Sequence, residues 1–126
     1  MIKQTLSSPA AAPAIGPYSP ALQTETLVFF SGQVPFDESG AIVGTTAAEQ
    51  ARRALTNLHH LLEAGALTSH AVVKTTIFLT DMNDFAAVNE VYAEFFEKPY
   101  PARSTVAVAA LPKGALVEIE AIAMRE

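Results

Sequence analysis

Arg103, Glu118 and Glu120 are the residues whose types and spacing hold the most chemistry. They lie in the segment 101–123, PARSTVAVAALPKGALVEIEAIA. Two alternating apolar runs, 104–108 and 117–123, read as strands joined through Pro112 and Gly114, which do not extend a strand comfortably. Side chains alternate along a strand, so Glu118 and Glu120 share one face while Val117, Ile119 and Ala121 form the other. Arg103 stands at the mouth of the first run. A guanidinium able to grip a carboxylate and a carboxylate able to handle water are therefore expected on one small sheet. Read without further context, the same three residues are also compatible with ordinary charges on a solvated sheet face.

The rest of the chain must position that segment. At 126 residues it is expected to be a single domain, 1–126, with one core. Half the residues are apolar and 17% are charged, which excludes a disordered chain. No apolar run reaches the roughly 18 residues of a membrane span, and the opening residues have no signal-peptide core behind them. A soluble, cytoplasmic protein is expected, with no membrane partner. The absence of cysteine excludes disulfides, thiolate metal sites and cysteine nucleophiles. A net charge of -5 with scattered basic residues gives no basic stripe, which speaks against nucleic acid as a partner.

Residues 7–20, SSPAAAPAIGPYSP, read as an extended loop held by other elements, with Tyr18 on a stiffened turn where its ring can wall a pocket. Residues 26–34 read as a strand whose run Leu27-Val28-Phe29-Phe30 lacks alternation, implying burial on both faces. Ser31 and Gly32 close it, and Gly32 permits close approach of a ligand or another chain. Asp37 to Gly40 read as a hairpin turn into a short strand, 41–43.

Thr46-Ala47-Ala48-Glu49 is a capping box opening a helix with an apolar stripe of Ala47, Ala51, Ala54, Leu55, Leu58, Leu61 and Leu62, stopped by Gly65. His59 and His60 lack the spacing of metal ligands, so no metal site is expected. Residues 72–79 read as a strand, 85–96 as a second helix, and the Pro99 and Pro101 segment delivers the chain into Arg103. The order is strands, helix, strand, helix, strands. Two helices cover only one face of a five- to six-stranded sheet, so the second face is expected to be buried by self-association in a closed ring, with clefts between subunits.

Taken in order, these stretches resemble the RidA family, also called YjgF, of reactive intermediate or imine deaminases. The resemblance runs through Ala14-Ile15-Gly16-Pro17-Tyr18-Ser19, Phe30-Ser31-Gly32-Gln33-Val34-Pro35, Ala54-Leu55-Thr56-Asn57-Leu58, the strand 73–79, Asp81-Met82-Asn83-Asp84-Phe85, Pro101-Ala102-Arg103-Ser104-Thr105-Val106 and Val117-Glu118-Ile119-Glu120-Ala121. It implies an α+β, chorismate-mutase-like fold, a mixed sheet with two helices on one face, and a homotrimer with sites between subunits. It also implies hydrolysis of enamines and imines such as 2-aminoacrylate to 2-keto acids and ammonia, with no metal or organic cofactor. By the same resemblance Arg103 binds the substrate carboxylate, Glu118 positions or activates water, and Tyr18, Ser31, Gly32 and Thr105 line the pocket. Many members carry cysteine where this chain has Thr105, which puts a thiol-dependent step in doubt. Ribonuclease or translation-inhibitor activity and holdase chaperone activity are the alternatives within the same family.

Overall fold

A computed structural model describes residues 3–126; residues 1 and 2, where the reading of a missing signal-peptide core begins, lie outside them. Six strands form one mixed sheet: β1 (Gln4–Leu6), β2 (Ala21–Gln23), β3 (Leu27–Gln33), β4 (Val72–Leu79), β5 (Ala102–Ala107) and β6 (Val117–Met124). Their spatial order is β1-β2-β3-β6-β4-β5. Every pairing is antiparallel except β4 with β5, which helix α2 (Phe85–Phe95) makes possible by carrying the chain back across the sheet. The C-terminal strand β6 lies at the centre, between β3 and β4.

Helix α1 (Ala47–Ala64) begins where its capping box requires. The Glu49 amide donates to Thr46 Oγ1, and the Thr46 amide donates to the Glu49 carboxylate. Its apolar stripe packs on one sheet face. Leu55, Leu58, Leu61 and Leu62 are fully buried there, each such side chain stabilising the fold by roughly 1.5–3 kcal/mol. Against them stand Val28 and Phe30 of β3, Val117, Ile119, Ala121 and Ala123 of β6, and Ile77 and Leu79 of β4. Helix α2 adds Val88, Val91 and Tyr92 to the same core.

Among the described residues, no helix or second sheet covers the opposite sheet face. In register across it run Leu22, Phe29 and Ile122, and then Val106, Phe78 and Glu118. Phe29 and Val106 are each 42% exposed. The expectation that Leu27 to Phe30 is buried on both faces therefore does not hold within one chain: Val28 and Phe30 are buried, and Phe29 stands open.

Several expected boundaries move. Residues 41–43 do not form a strand and keep a single bridge between Phe36 and Ile42, because Asp37 spends its carboxylate on the Ser39 and Ala41 amides and curls the segment into a compact turn. Strands β1 and β2 are too short and polar to show alternation; they exist because each pairs with a neighbour at the sheet edge. Arg103, expected at the mouth of its strand, lies inside β5, paired with Thr75.

Candidate active site

Arg103 and Glu118 do not meet. Arg103 and Thr105 pair with Thr75 and Ile77 of β4, whose side chains are buried beneath the helices, so they occupy the helix face. Glu118 pairs with Phe78 on the open face, and Glu120 follows it there, paired with Thr76. Period-two alternation thus puts the guanidinium and the carboxylate on opposite faces of the sheet, with β4 between their strands.

Around Arg103 the ordering comes from α2. Arg103 Nη1 donates to Asn89 Oδ1 at 2.7 Å, and the guanidinium carbon lies 4.8 Å from the centre of the Tyr92 ring and 5.6 Å from that of Phe85. Phe85, Asn89 and Tyr92 share a helix face by their spacing, so two rings and one amide fix the plane of the guanidinium. Tyr92 is itself pinned by a 2.8 Å hydrogen bond between its hydroxyl and Thr75 Oγ1, and burial pushes that hydroxyl's pKa up. Asn89, Tyr92, Tyr100, Pro101 and Arg103 line a cleft of about 310 Å³. The N–H groups that Asn89 does not engage are suited to a planar oxyanion. Thr105 Oγ1, on the same face, is buried with no hydrogen-bond partner among the described residues.

Around Glu118 the ordering comes from β3 and the long loop that follows β1. Ser31 Oγ donates to the Ser19 carbonyl at 2.6 Å and the Ser31 amide to the Pro20 carbonyl at 3.0 Å, so the loop carrying Tyr18 is tied to β3 at Ser31. Tyr18 folds over its own turn, its hydroxyl accepting from the Ile15 amide at 3.1 Å. Tyr18, Ser31, Gly32, Glu118 and Glu120 then line a cleft of about 610 Å³. Four of the residues expected to form the site are gathered here: Tyr18, Ser31, Gly32 and Glu118. Arg103 and Thr105 are held elsewhere.

The Glu118 carboxyl is half-buried, and that loss of water pushes its pKa up from the ordinary glutamate value; the neighbouring Glu120 adds a like-charge contribution in the same direction. A carboxylate so placed is both a better proton acceptor and, once protonated, a more available donor near neutral pH.

Asn89, Tyr100 and Lys113 join the two clefts only in the folded chain. Asn89 carried a signal, a polar residue four positions after Phe85 and three before Tyr92 on an otherwise apolar face. Lys113 carried none: its backbone adopts φ +54, and Nζ reaches the Gly40 carbonyl at 3.0 Å while lying 5.2 Å from the centre of the Phe36 ring, which brings it to the rim of the Glu118 cleft.

Comparison with known proteins adds to this geometry. A protein of mouse called 2-iminobutanoate/2-iminopropanoate deaminase is 47% identical over 126 residues, covering 99% of this chain and 93% of that protein. The human protein of the same name is 44% identical, covering 99% and 92%. Among solved structures, E. coli TdcF with bound serine superposes with a TM-score of 0.91 at 42% identity, covering 98% of this chain and 99% of that one. RidA from an Antarctic Psychrobacter superposes at 0.93 with 40% identity, covering 97% and 99%. The profile described as endoribonuclease L-PSP matches residues 9–125, and with it the chain belongs to the YjgF/RidA family.

Proposed function

We propose that this protein hydrolyses short-lived 2-imino and enamino acids to 2-keto acids and ammonia, at sites that two protomers of a homotrimer complete together. The observation that carries the reading is the seat of Glu118: a half-buried carboxylate of raised pKa packed on Gly32 in an open cleft, in a chain 47% identical to a protein called an imine deaminase. The separation of Arg103 from Glu118 supports shared sites, since a substrate that needs both groups must draw them from two chains. The open apolar face formed by Phe29, Val106 and Ile122 supports the assembly.

In this mechanism the substrate carboxylate docks on Arg103, whose plane Asn89 and the Tyr92 ring have already set, so little ordering is left to be done on binding. An enamine first takes a proton at its terminal carbon and gives one up from its nitrogen, becoming the imine. Glu118 then accepts a proton from a water molecule as the water oxygen bonds to the imine carbon and the imine nitrogen takes a proton from solvent. Glu118 returns its proton to the amine nitrogen of the resulting carbinolamine, the C–N bond breaks, the hydroxyl proton is lost, and ammonia and a 2-keto acid leave. One water is consumed and Glu118 is regenerated. The Tyr18 ring and the Ser31–Gly32 backbone wall the reacting centre, and Thr105 shapes the Arg103 side of the pocket.

The test is ammonia release from freshly generated 2-aminoacrylate, with RNA cleavage followed in the same preparation. Accelerated ammonia release with intact RNA is the expected result. RNA cleavage without ammonia release would replace this reading with the ribonuclease alternative, and chaperone activity of a stable monomer through the open face would replace it with the holdase.

A further inference from the structure

Helix α1 turns three polar side chains toward the body of the protein. Gln50 is 4% exposed and Asn57 fully buried, with the partly buried Arg53 between them. Their spacing of i, i+3 and i+7 sets them in one row along the helix. All three bond to backbone. Gln50 Oε1 accepts from the Leu116 amide at 2.7 Å, and its Nε2 donates to the Gly44 carbonyl at 3.2 Å. Arg53 donates to the carbonyls of Phe36 and Ala10, each at 3.1 Å. Asn57 Nδ2 donates to the carbonyls of Val34 at 3.0 Å and Phe36 at 2.9 Å.

Four of these six bonds end on the two segments that bring Gly32 and Glu118 together, those to Val34, Phe36 and Leu116. Val34 and Phe36 follow Gly32 closely in sequence and line the Glu118 cleft. Leu116 lies two residues before Glu118, at the entrance to β6. We infer that Gln50 and Asn57 are positioning residues for Glu118: from the helix side of the sheet they clamp the backbone on both flanks of the Gly32–Glu118 contact and so keep the carboxylate in its water-poor seat. The clamp itself is independent of the reaction; its consequence for turnover rests on the deaminase reading.

An apolar side chain would fill the same space on α1 but would leave the Leu116 amide and the Val34 carbonyl without these partners, and those segments would settle elsewhere. The groups facing Glu118 are few. Glu120 comes from its own strand, Lys113 from the connection before β6, Tyr18 from the long loop, uncharged Ser31 and Gly32 from β3, and Phe78 from β4. Burial is the largest cause of its raised pKa. Admitting water by loosening either flank removes that cause first.

The experiment follows the Glu118 side-chain carboxyl by carbon-13 NMR titration in the intact protein, alongside steady-state ammonia release, for the wild type, Asn57→Leu, Gln50→Leu and Gln50→Glu. The two leucine variants are expected to move the Glu118 midpoint down toward the ordinary glutamate value and to lower kcat about tenfold with KM within about twofold. Gln50→Glu keeps the acceptor for the Leu116 amide but loses the donor to the Gly44 carbonyl and buries a charge, so it is expected to fall between wild type and Gln50→Leu in both readouts. If a leucine variant does not fold, Asn57→Ser or Gln50→Ser, which lose reach while staying polar, are read in the same way. An unchanged Glu118 midpoint in folded variants at both positions overturns the proposal. A shifted midpoint in a protein that releases no ammonia even as wild type would uphold the clamp and sink the deaminase reading instead.

Discussion

A Cβ on residue 32 would lie 2.6 Å from the carboxyl carbon of Glu118 and 2.7 Å from its Oε1, so Gly32 is the floor on which that carboxylate rests. The approach is closer than any side chain allows, and it joins the end of β3 to the middle of the open face.

Gly32→Ala is therefore expected to expel the carboxyl group from its seat. Because the displaced atoms are the far end of a flexible side chain, the fold should survive with a small change in Tm, while kcat falls by about tenfold or more. Thermal unfolding and ammonia release measured together check this. Wild-type turnover in the alanine variant would show that the contact does not matter for the reaction.

Glu118 binds its proton more tightly in the folded chain than in the unfolded one. Between the unfolded and folded pKa the native state holds more protons, so stability falls as pH rises through that window, and the ionised carboxylate is a cost above it. Glu118→Gln is accordingly expected to be at least as stable as wild type at pH 7 while releasing ammonia poorly, and wild-type activity is expected to fall as pH drops through the raised pKa. Comparing Tm at pH 4 and pH 7 for both proteins tests the first point and a pH–rate profile the second. An equal loss of turnover in Glu120→Gln would assign the water to the wrong carboxylate.

Arg103→Lys keeps the charge but loses the two-pronged geometry, the hydrogen bond to Asn89 as it now stands and the stacking on Tyr92. A fall in kcat/KM of about a hundredfold is expected, and a smaller fall, carried mainly by KM, in Asn89→Ala. Affinity for a 2-keto acid, measured by calorimetry, separates lost binding from lost chemistry. Wild-type affinity in Arg103→Lys would remove Arg103 from the carboxylate-binding role.

Thr105 Oγ1 is buried without a partner among the described residues, so its hydroxyl gives the fold little. Thr105→Ala and Thr105→Cys should both retain activity within about tenfold, and the cysteine variant should be no more active for having a thiol. Loss of turnover in the alanine variant with ligand binding intact would give the hydroxyl a chemical part.

Phe29 lies on the open face, between Leu22 and Ile122 in register. Phe29→Asp is expected to yield monomers in light scattering that keep the far-ultraviolet dichroism of the wild type and lose ammonia release, because a shared site cannot form. Full activity in a monomer would place both catalytic groups within one chain.

How much of this could be read from the sequence depended on the range of the interactions involved. The capping box of Thr46 and Glu49 and the leucine stripe of α1 are local and periodic, and both stand where the spacing put them. Alternation along β6 put Glu118 and Glu120 on one face, as the register confirms. Strands β1 and β2 were not legible, because three-residue strands owe their existence to the partner they pair with. Whether Arg103 and Glu118 share a face was also beyond sequence: it turns on register across β5, β4 and β6, which is set by contacts among residues far apart in the chain. The residue types and their order along the chain were the sequence's own contribution. Tertiary structure alone decided that the guanidinium lies under α2 and the carboxylate on the open face, since one residue of register moves a side chain through the sheet.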